Sequence, residues 1–292
     1  SSNIQIATRT IMLNDLIKFI RAIYNKPELF ILEKTLKKGH ILLDLNLHID
    51  NNGKIKKDYE IKGLIKNASI NFFNKGKFEN LNFNFNIKQD SYLLNEINLK
   101  VEKVNFTSKK IKIFKKKNSF LIDGTVKNNP SNLNINILKL LNLNFKNINI
   151  EQVKFDTNNK FSLEIDSKYN VKNIVLNSDI NIDQLKYKKP DIIQNYLPEQ
   201  DKFILLKDHK LNLNYKDNNL SVKGEGEYEL TNNQANKIKY QIGKKDKNFN
   251  INTELFLKSI NLQSKDFLKI FFPQINQKIN FNNHKLKINY NN

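Results

Sequence analysis

The chain has no cysteine and no tryptophan, one methionine, and only 5 prolines, 8 glycines and 4 histidines in 292 residues. Without cysteine, disulfides, thiolate nucleophiles and cysteine-ligated metals are excluded; their absence fits any redox compartment. No apolar run approaches the roughly 20 residues that a helix needs to cross a bilayer, and no secretory leader is visible. Acids are scarce beside bases: 29 Asp and Glu stand against 49 Lys and Arg, a formal net charge of +20. The excess is nearly all lysine and accompanies a strong Asn and Ile bias. Codon composition writing lysines onto solvated faces accounts for this, and attraction to anionic headgroups or nucleic acid is the functional alternative. Phosphate loops, dinucleotide fingerprints, zinc-protease helices and nucleophile elbows are all missing.

What the chain has in quantity is period-two alternation. In residues 79–87, Leu81, Phe83, Phe85 and Ile87 point one way and Asn80, Asn82, Asn84 and Asn86 the other, as on a half-buried strand. Residues 220–230 do the same, with Leu220, Val222, Gly224, Gly226, Tyr228 and Leu230 on one face. Further strands are expected at 41–49, 59–65, 97–101, 110–114, 120–126, 145–155, 161–165, 174–182, 237–242 and 249–260. Turn residues such as Asp50-Asn-Asn-Gly53, Thr157-Asn-Asn159 and Gly243-Lys-Lys-Asp246 separate them. Residues 133–143 read equally as strand or helix. Leu13, Leu16, Ile17, Ile20 and Ile23 form a helical stripe within 13–24. It fits a helix docked on a sheet, with an interfacial membrane helix as the alternative. A second helix is expected at 27–38, opened by Pro27 and capped by Gly39.

The last third repeats itself. Asp191-Ile-Ile-Gln-Asn-Tyr-Leu-Pro198 is followed 11 residues after the proline by His209-Lys-Leu-Asn-Leu-Asn-Tyr215. Asp266-Phe-Leu-Lys-Ile-Phe-Phe-Pro273 is followed at the same spacing by His284-Lys-Leu-Lys-Ile-Asn-Tyr290, a constant offset of 75. Rare prolines and histidines falling in register indicate a true repeat. One unit should hold about five strands and a short amphipathic helix over 264–272. The expected layout is an entry segment at 1–38, an antiparallel segment at 39–190, a repeat unit at 191–265, and the start of the next unit at 266–292. The chain starts without Met and stops just after Tyr290, where the first copy goes on into more strands, so a segment of a longer protein is expected.

The fold class that follows is mainly β: about fifteen antiparallel strands joined by short connections, with three or four short helices. So wide a sheet must curl, close or split. Two sheets packed face to face would hide the apolar side chains, whereas one long curled sheet would leave them lining a groove. The curled sheet is the reading adopted, and contiguous apolar surface of that kind marks a ligand or membrane site.

Polar candidates for chemistry do not converge. His40 and His48 lie eight residues apart on one strand, and His209 and His284 read as structural residues at a turn or rim. Asp50, Asp58, Glu60, Asp156 and Asp166 fall at strand ends or on polar faces. Lys109, Lys110 and Lys115 to Lys117 read as hairpin tips, without the interleaved aromatics a nucleic-acid platform needs. Gly224-Glu-Gly226 reads as a close-approach or bulge site. No catalytic residue, metal or cofactor is expected.

The hairpin Gly39-His-Ile-Leu-Leu-Asp-Leu-Asn-Leu-His-Ile-Asp50, then Gly53, then Tyr59-Glu-Ile-Lys-Gly-Leu-Ile-Lys-Asn-Ala-Ser-Ile70 resembles hairpins of the AsmA-like family of bacterial envelope proteins, which includes YhdP-like and TamB-like chains. The Asn-Tyr-Leu-Pro198 and Phe-Phe-Pro273 segments resemble the elements between their sheet units. Such families are similar to bridge-like lipid transfer proteins, built as a repeating β-groove. The resemblance implies a periplasmic body, anchored in the inner membrane by another part of the chain, that conducts phospholipid to the outer membrane. The expected function is therefore a non-enzymatic lipid conduit lined by Leu81, Phe83, Phe85, Ile87, Leu211, Leu213, Tyr215, Val222, Tyr228, Leu230, Phe281, Leu286 and Ile288. Its partners would be phospholipid and the two membranes or their proteins, with no specific nucleic acid. A β-rich envelope scaffold with a closed core and a basic polyanion binder are the alternatives.

Overall fold

The computed structural model describes residues 2–23, 27–72, 76–133, 150–189, 202–230, 234–246, 248–263, 270, 273–274 and 278–292. Mainly β, it forms one antiparallel sheet that is not closed into a barrel, with two short helices among the described elements. In chain order the elements are β1 Ser2–Ala7, β2 Ile11–Met12, α1 Leu13–Ile23, α2 Pro27–Thr35, β3 Leu36–Ile49, β4 Glu60–Phe72, β5 Gly76–Lys88, β6 Ser91–Val101, β7 Val104–Lys115 and β8 Ser119–Asn132. There follow β9 Ile150–Asp166, β10 Val171–Lys188, β11 Phe203–Lys216, β12 Asn219–Glu229, β13 Ala235–Lys245, β14 Asn248–Gln263 and β15 Lys278–Asn291. The sheet runs β1, then β3 through β15 in sequence order, with β2 paired to β3 off this path. Seven of the neighbouring pairs, among them β5–β6, β6–β7, β11–β12 and β13–β14, are joined by two to four residues, and a strand leaving so tight a turn can only lie beside the strand before it. The chain divides into two compact units. The first holds Ser1–Asn129 and Asn158–Val175; the second holds Pro130–Leu133, the described part of Phe145–Thr157, and Leu176–Asn292.

In the first unit the apolar stripe of α1 docks on the sheet. Leu13 and Ile17 are buried against Leu36, Ile41, Ala68 and Phe85, with Leu16, Ile61, Ile65, Leu81, Phe83 and Ile87 packed around them. Each fully buried aliphatic or aromatic side chain contributes roughly 1.5–3 kcal/mol, so this is where the unit is most strongly held. Arg21 of α1 pairs with Glu33 of α2 and tethers the two helices. The expected second helix ends early, at Thr35, whose hydroxyl donates back to the Ile31 carbonyl at 2.9 Å. Gly39 is therefore not a helix cap. It lies inside β3 with φ of 148°, and a Cβ there would sit 3.0 Å from both Cα and Cβ of Ala68. No side chain fits that conformation or that space.

Six strands bend at one residue of positive φ: Asn67, Asn80, Glu96, Asn173, Asp208 and Asn283, with φ between 50° and 55°. Register shifts accompany several of them, between Ile65 and Ala68, between Glu79 and Asn82, and between Lys207 and Lys210. These are β-bulges, where two residues oppose one and the apolar alternation resumes on the same face beyond the extra residue. Asn and Asp tolerate the left-handed conformation better than other side chains. The amide of Asn67 donates to Asn82 Oδ1 at 2.9 Å, and Asn82 in turn donates to the Asn80 carbonyl. The bulge polar groups are thus satisfied within the sheet.

Several expected boundaries move. The strands expected at 145–155 and 161–165 are one strand, β9, so Thr157-Asn-Asn159 is no turn. Strand pairing on both sides overrides the turn propensity of three polar residues. Gly243 likewise belongs to β13, with the turn beginning only after Lys245. Lys109 and Lys110 lie inside β7 and are not a hairpin tip, whereas Lys116 and Lys117 do fall in the β7–β8 turn. The ambiguous stretch 133–143 lies, apart from Leu133, outside the described residues. So do Asp191, Pro198, Asp266 and the helix expected at 264–272, Ile270 aside. The described strands β11 to β14 put four strands in one 75-residue interval, against about five expected.

Candidate functional site

The second unit shows how register turns alternation into a surface. Cross-strand partners form rows across β11 to β15. One row runs Leu211, Gly224, Tyr240, Thr253, Ile288. The next runs Leu213, Val222, Ile242, Ile251, Tyr290, and on the other side Gly226, Ile238, Leu255 and Leu286 align. These rows make one apolar face five strands wide. Among the described residues, the strands of this unit contact their sheet neighbours, and no second layer or helix lies over this face. Leu211, Leu213, Tyr215 and Val222 are half-buried by their own neighbours, while Leu286, Ile288 and Tyr290 are 46%, 44% and 51% exposed.

The glycines on this face are seats for rings. A Cβ on Gly224 would lie 2.5 Å from the Tyr240 ring, and one on Gly226 would lie 2.4 Å from His209. The same device recurs in the first unit, where Gly63 seats Phe85. His209 follows the Asp208 bulge and is 2% exposed, so it is neither turn nor rim. Its Nε2 lies 2.9 Å from the Glu227 carbonyl and its Nδ1 lies 3.4 Å from the Tyr240 hydroxyl. Burial holds its pKa below the usual 6.5, against the smaller opposing pull of that carbonyl and of Asp208. Burial also pushes the Tyr228 and Tyr240 hydroxyls up to about 12. Neither tyrosine ionises near neutrality.

The opposite face is polar. Lys210, Glu225, Lys239, Glu254 and Lys287 are successive register partners, so charge alternates strand by strand. Lys239 reaches Glu225 at 3.0 Å, and Glu254 takes Lys285 at 2.8 Å and Lys287 at 3.4 Å. Those lysines hold both glutamates below the usual carboxylate pKa. A depression of 740 Å³ opens on this face, lined by these residues together with Asp179, Asn181, Asn212, Gln241 and Asn252. The apolar rows supply only its floor, through residues such as Gly224 and Leu211. The lysines here alternate with acids rather than forming a positive patch.

The structure separates the thirteen expected lining residues into groups. Leu81, Phe83, Phe85 and Ile87 share one face of β5, but that face is under α1, and Phe85 is 8% exposed. Leu211, Leu213, Tyr215, Val222, Tyr228, Leu286 and Ile288 lie on the face of β11 to β15 that no other described element overlies. Tyr228 is buried, its hydroxyl donating to the Phe256 carbonyl at 3.4 Å. Leu230 lies just past the end of β12, and Phe281 pairs with Ile260 through the backbone. Sequence reasoning missed Tyr240, Ile242, Ile251 and Leu255, which complete the rows. Their signal was the alternation of 237–242 and 249–260, already read as strands but not assigned to a face.

Among the described residues no cluster of histidine and carboxylates could hold a metal ion. His48 Nδ1 meets Asp58 at 2.8 Å, and Asp166 caps a turn by accepting from the Lys168 and Asn170 amides. Lys172 and those amides hold the Asp166 carboxyl well below its usual range. These are structural roles. No family model, curated protein or solved structure matches the chain.

Proposed function

We propose that this protein is a non-enzymatic carrier of lipid, holding phospholipid acyl chains against the apolar face of β11 to β15. One observation carries the reading: apolar rows five strands wide lie without a covering layer among the described residues. Contiguous apolar surface of that kind is rare on monomers unless something binds it. Each methylene buried contributes about 0.8 kcal/mol, so half an acyl chain suffices for useful affinity. Rows of similar side chains offer no single deep trap, which favours movement of the chain along the sheet. The setting proposed, a periplasmic body passing phospholipid between inner and outer membrane, comes from the AsmA-like resemblance of the 39–70 hairpin.

The test is photo-crosslinking of the purified protein to a phospholipid with a diazirine in its acyl chain, alongside native mass spectrometry for co-purified lipid. Val222→Asp and Ile242→Asp place a charge in the middle of the face. Each is expected to cut crosslinking at least about fivefold, since a carboxylate resists burial under an acyl chain, with the β-type circular dichroism retained. Unchanged crosslinking, or no lipid in either measurement, overturns the reading.

A further inference from the structure

The polar face of the second unit spends its side-chain amides unevenly. Asparagines on the polar faces of strands commonly bond within the sheet: Asn84 donates to Glu96, Asn86 to Glu60, Asn212 to Asp179 and Asn214 to Asn212. The row beside the alternating lysines and glutamates departs from this. Its register partners on β11 to β15 are Asn212, Lys223, Gln241, Asn252 and Asn289. Among the described residues Gln241, Asn252 and Asn289 make no side-chain hydrogen bond, and Lys223 makes no ion pair. All three amides are exposed, and each carries two N–H donors and a carbonyl acceptor. This row and the charged row next to it both line the 740 Å³ depression along their whole length. The depression is therefore a trough that crosses five strands.

We propose that this trough binds a neutral oligosaccharide laid across the strands. Neighbouring strands lie about 4.8 Å apart, close to the length of one pyranose ring, so successive sugars meet successive strands and the trough holds about four rings. A sugar hydroxyl both donates and accepts, and a side-chain amide answers it with one group of each kind. Adjacent hydroxyls on one ring can therefore take both groups of one amide. Other chemistries fit less well. A polyanion is held by a run of like charge, whereas the charged row alternates in sign and its glutamates are already taken, Glu225 by Lys239 and Glu254 by Lys285 and Lys287. An acyl chain needs apolar surface, and here Leu211 and Tyr240 reach only the floor. The trough lies on the face opposite the lipid site and does not rest on that reading.

The experiment is isothermal titration of the 292-residue protein with chitohexaose and, in parallel, with cellohexaose. Saturable binding of at least one is expected, unchanged between about 50 mM and about 200 mM salt, because a neutral sugar releases no counterions. Gln241→Leu and Asn252→Leu remove amides at exposed positions, so circular dichroism should be retained while each weakens binding at least about tenfold. Asn252→Gln, which keeps the amide, should retain most of the affinity. Binding of neither sugar, leucine variants that bind as the parent does, or a glutamine variant as weak as the leucine one would each overturn the proposal. A steep loss of binding with salt would also overturn it, since that marks a polyanion site. Neither titration reads lipid, so the outcome stands whatever the apolar face holds.

Discussion

The apolar face of β3 to β5 and that of β11 to β15 start from the same alternation and meet different fates. In the first unit α1 lies across it, burying Leu13 and Ile17 on Ile41 and Phe85. In the second unit the corresponding rows have no covering element among the described residues. The local chemistry is otherwise alike, down to a glycine that seats the aromatic ring of the next strand, Gly63 under Phe85 and Gly224 under Tyr240. Alternation therefore makes a face apolar, and what lies over that face decides whether it acts as core or as surface.

The contrast can be broken most sharply at Phe85. Phe85→Asp strands a charge beneath α1 and should cost at least about 3 kcal/mol, measured by urea denaturation. Ile288→Asp, at a side chain 44% exposed, should cost under about 1 kcal/mol while reducing lipid crosslinking. Equal losses at the two sites would erase the distinction between a filled face and an open one. Next in size is Gly63→Ala, whose Cβ would lie 2.3 Å from the Phe85 ring and 2.5 Å from the Leu42 carbonyl. Backbone cannot yield as a side-chain tip does, so a loss of about 1–3 kcal/mol is expected by the same denaturation.

A smaller effect separates the units by pH. His209 has its pKa lowered from 6.5 by burial, so as pH falls through 6.5 the unfolded chain takes up a proton that the folded chain refuses. Stability should fall below pH 6.5 and level off once pH passes the folded-state pKa. In His209→Asn that portion of the slope should vanish, and melting temperatures at pH 7.5 and 5.5 will show whether it does. The smallest effect is expected at Lys239→Ala. Its ion pair with Glu225 is exposed on both sides, 59% and 61%, and solvent screening leaves such pairs little net effect on stability. A larger loss would mean that the charge ladder acts as a cooperative network.

The strands were legible because their polar and apolar residues alternate with little interruption, in 79–87 and 220–230 above all. The bulges were not. Asn80 and Asp208 look like any other polar member of an alternating run, and only paired strands reveal that two residues face one. Thr157-Asn-Asn159 misled for the opposite reason: its residues favour turns, and neighbouring strands hold them extended. Gly224 and Gly226 read in sequence as a close-approach or bulge site; the rings of Tyr240 and His209 are what approaches. His209 itself was placed at a rim because its chain position said nothing of the glycine across from it.

By itself the sequence determined that this protein is an antiparallel β chain with one apolar and one polar side to its strands, and that a 75-residue pattern recurs near its end. Side-chain period and turn spacing are local properties, written residue by residue. Which face the described elements cover, where the strands bend and which ring fills which glycine were decided only by tertiary structure. Each depends on the register between neighbouring strands, and register is a property of pairs that no single segment carries.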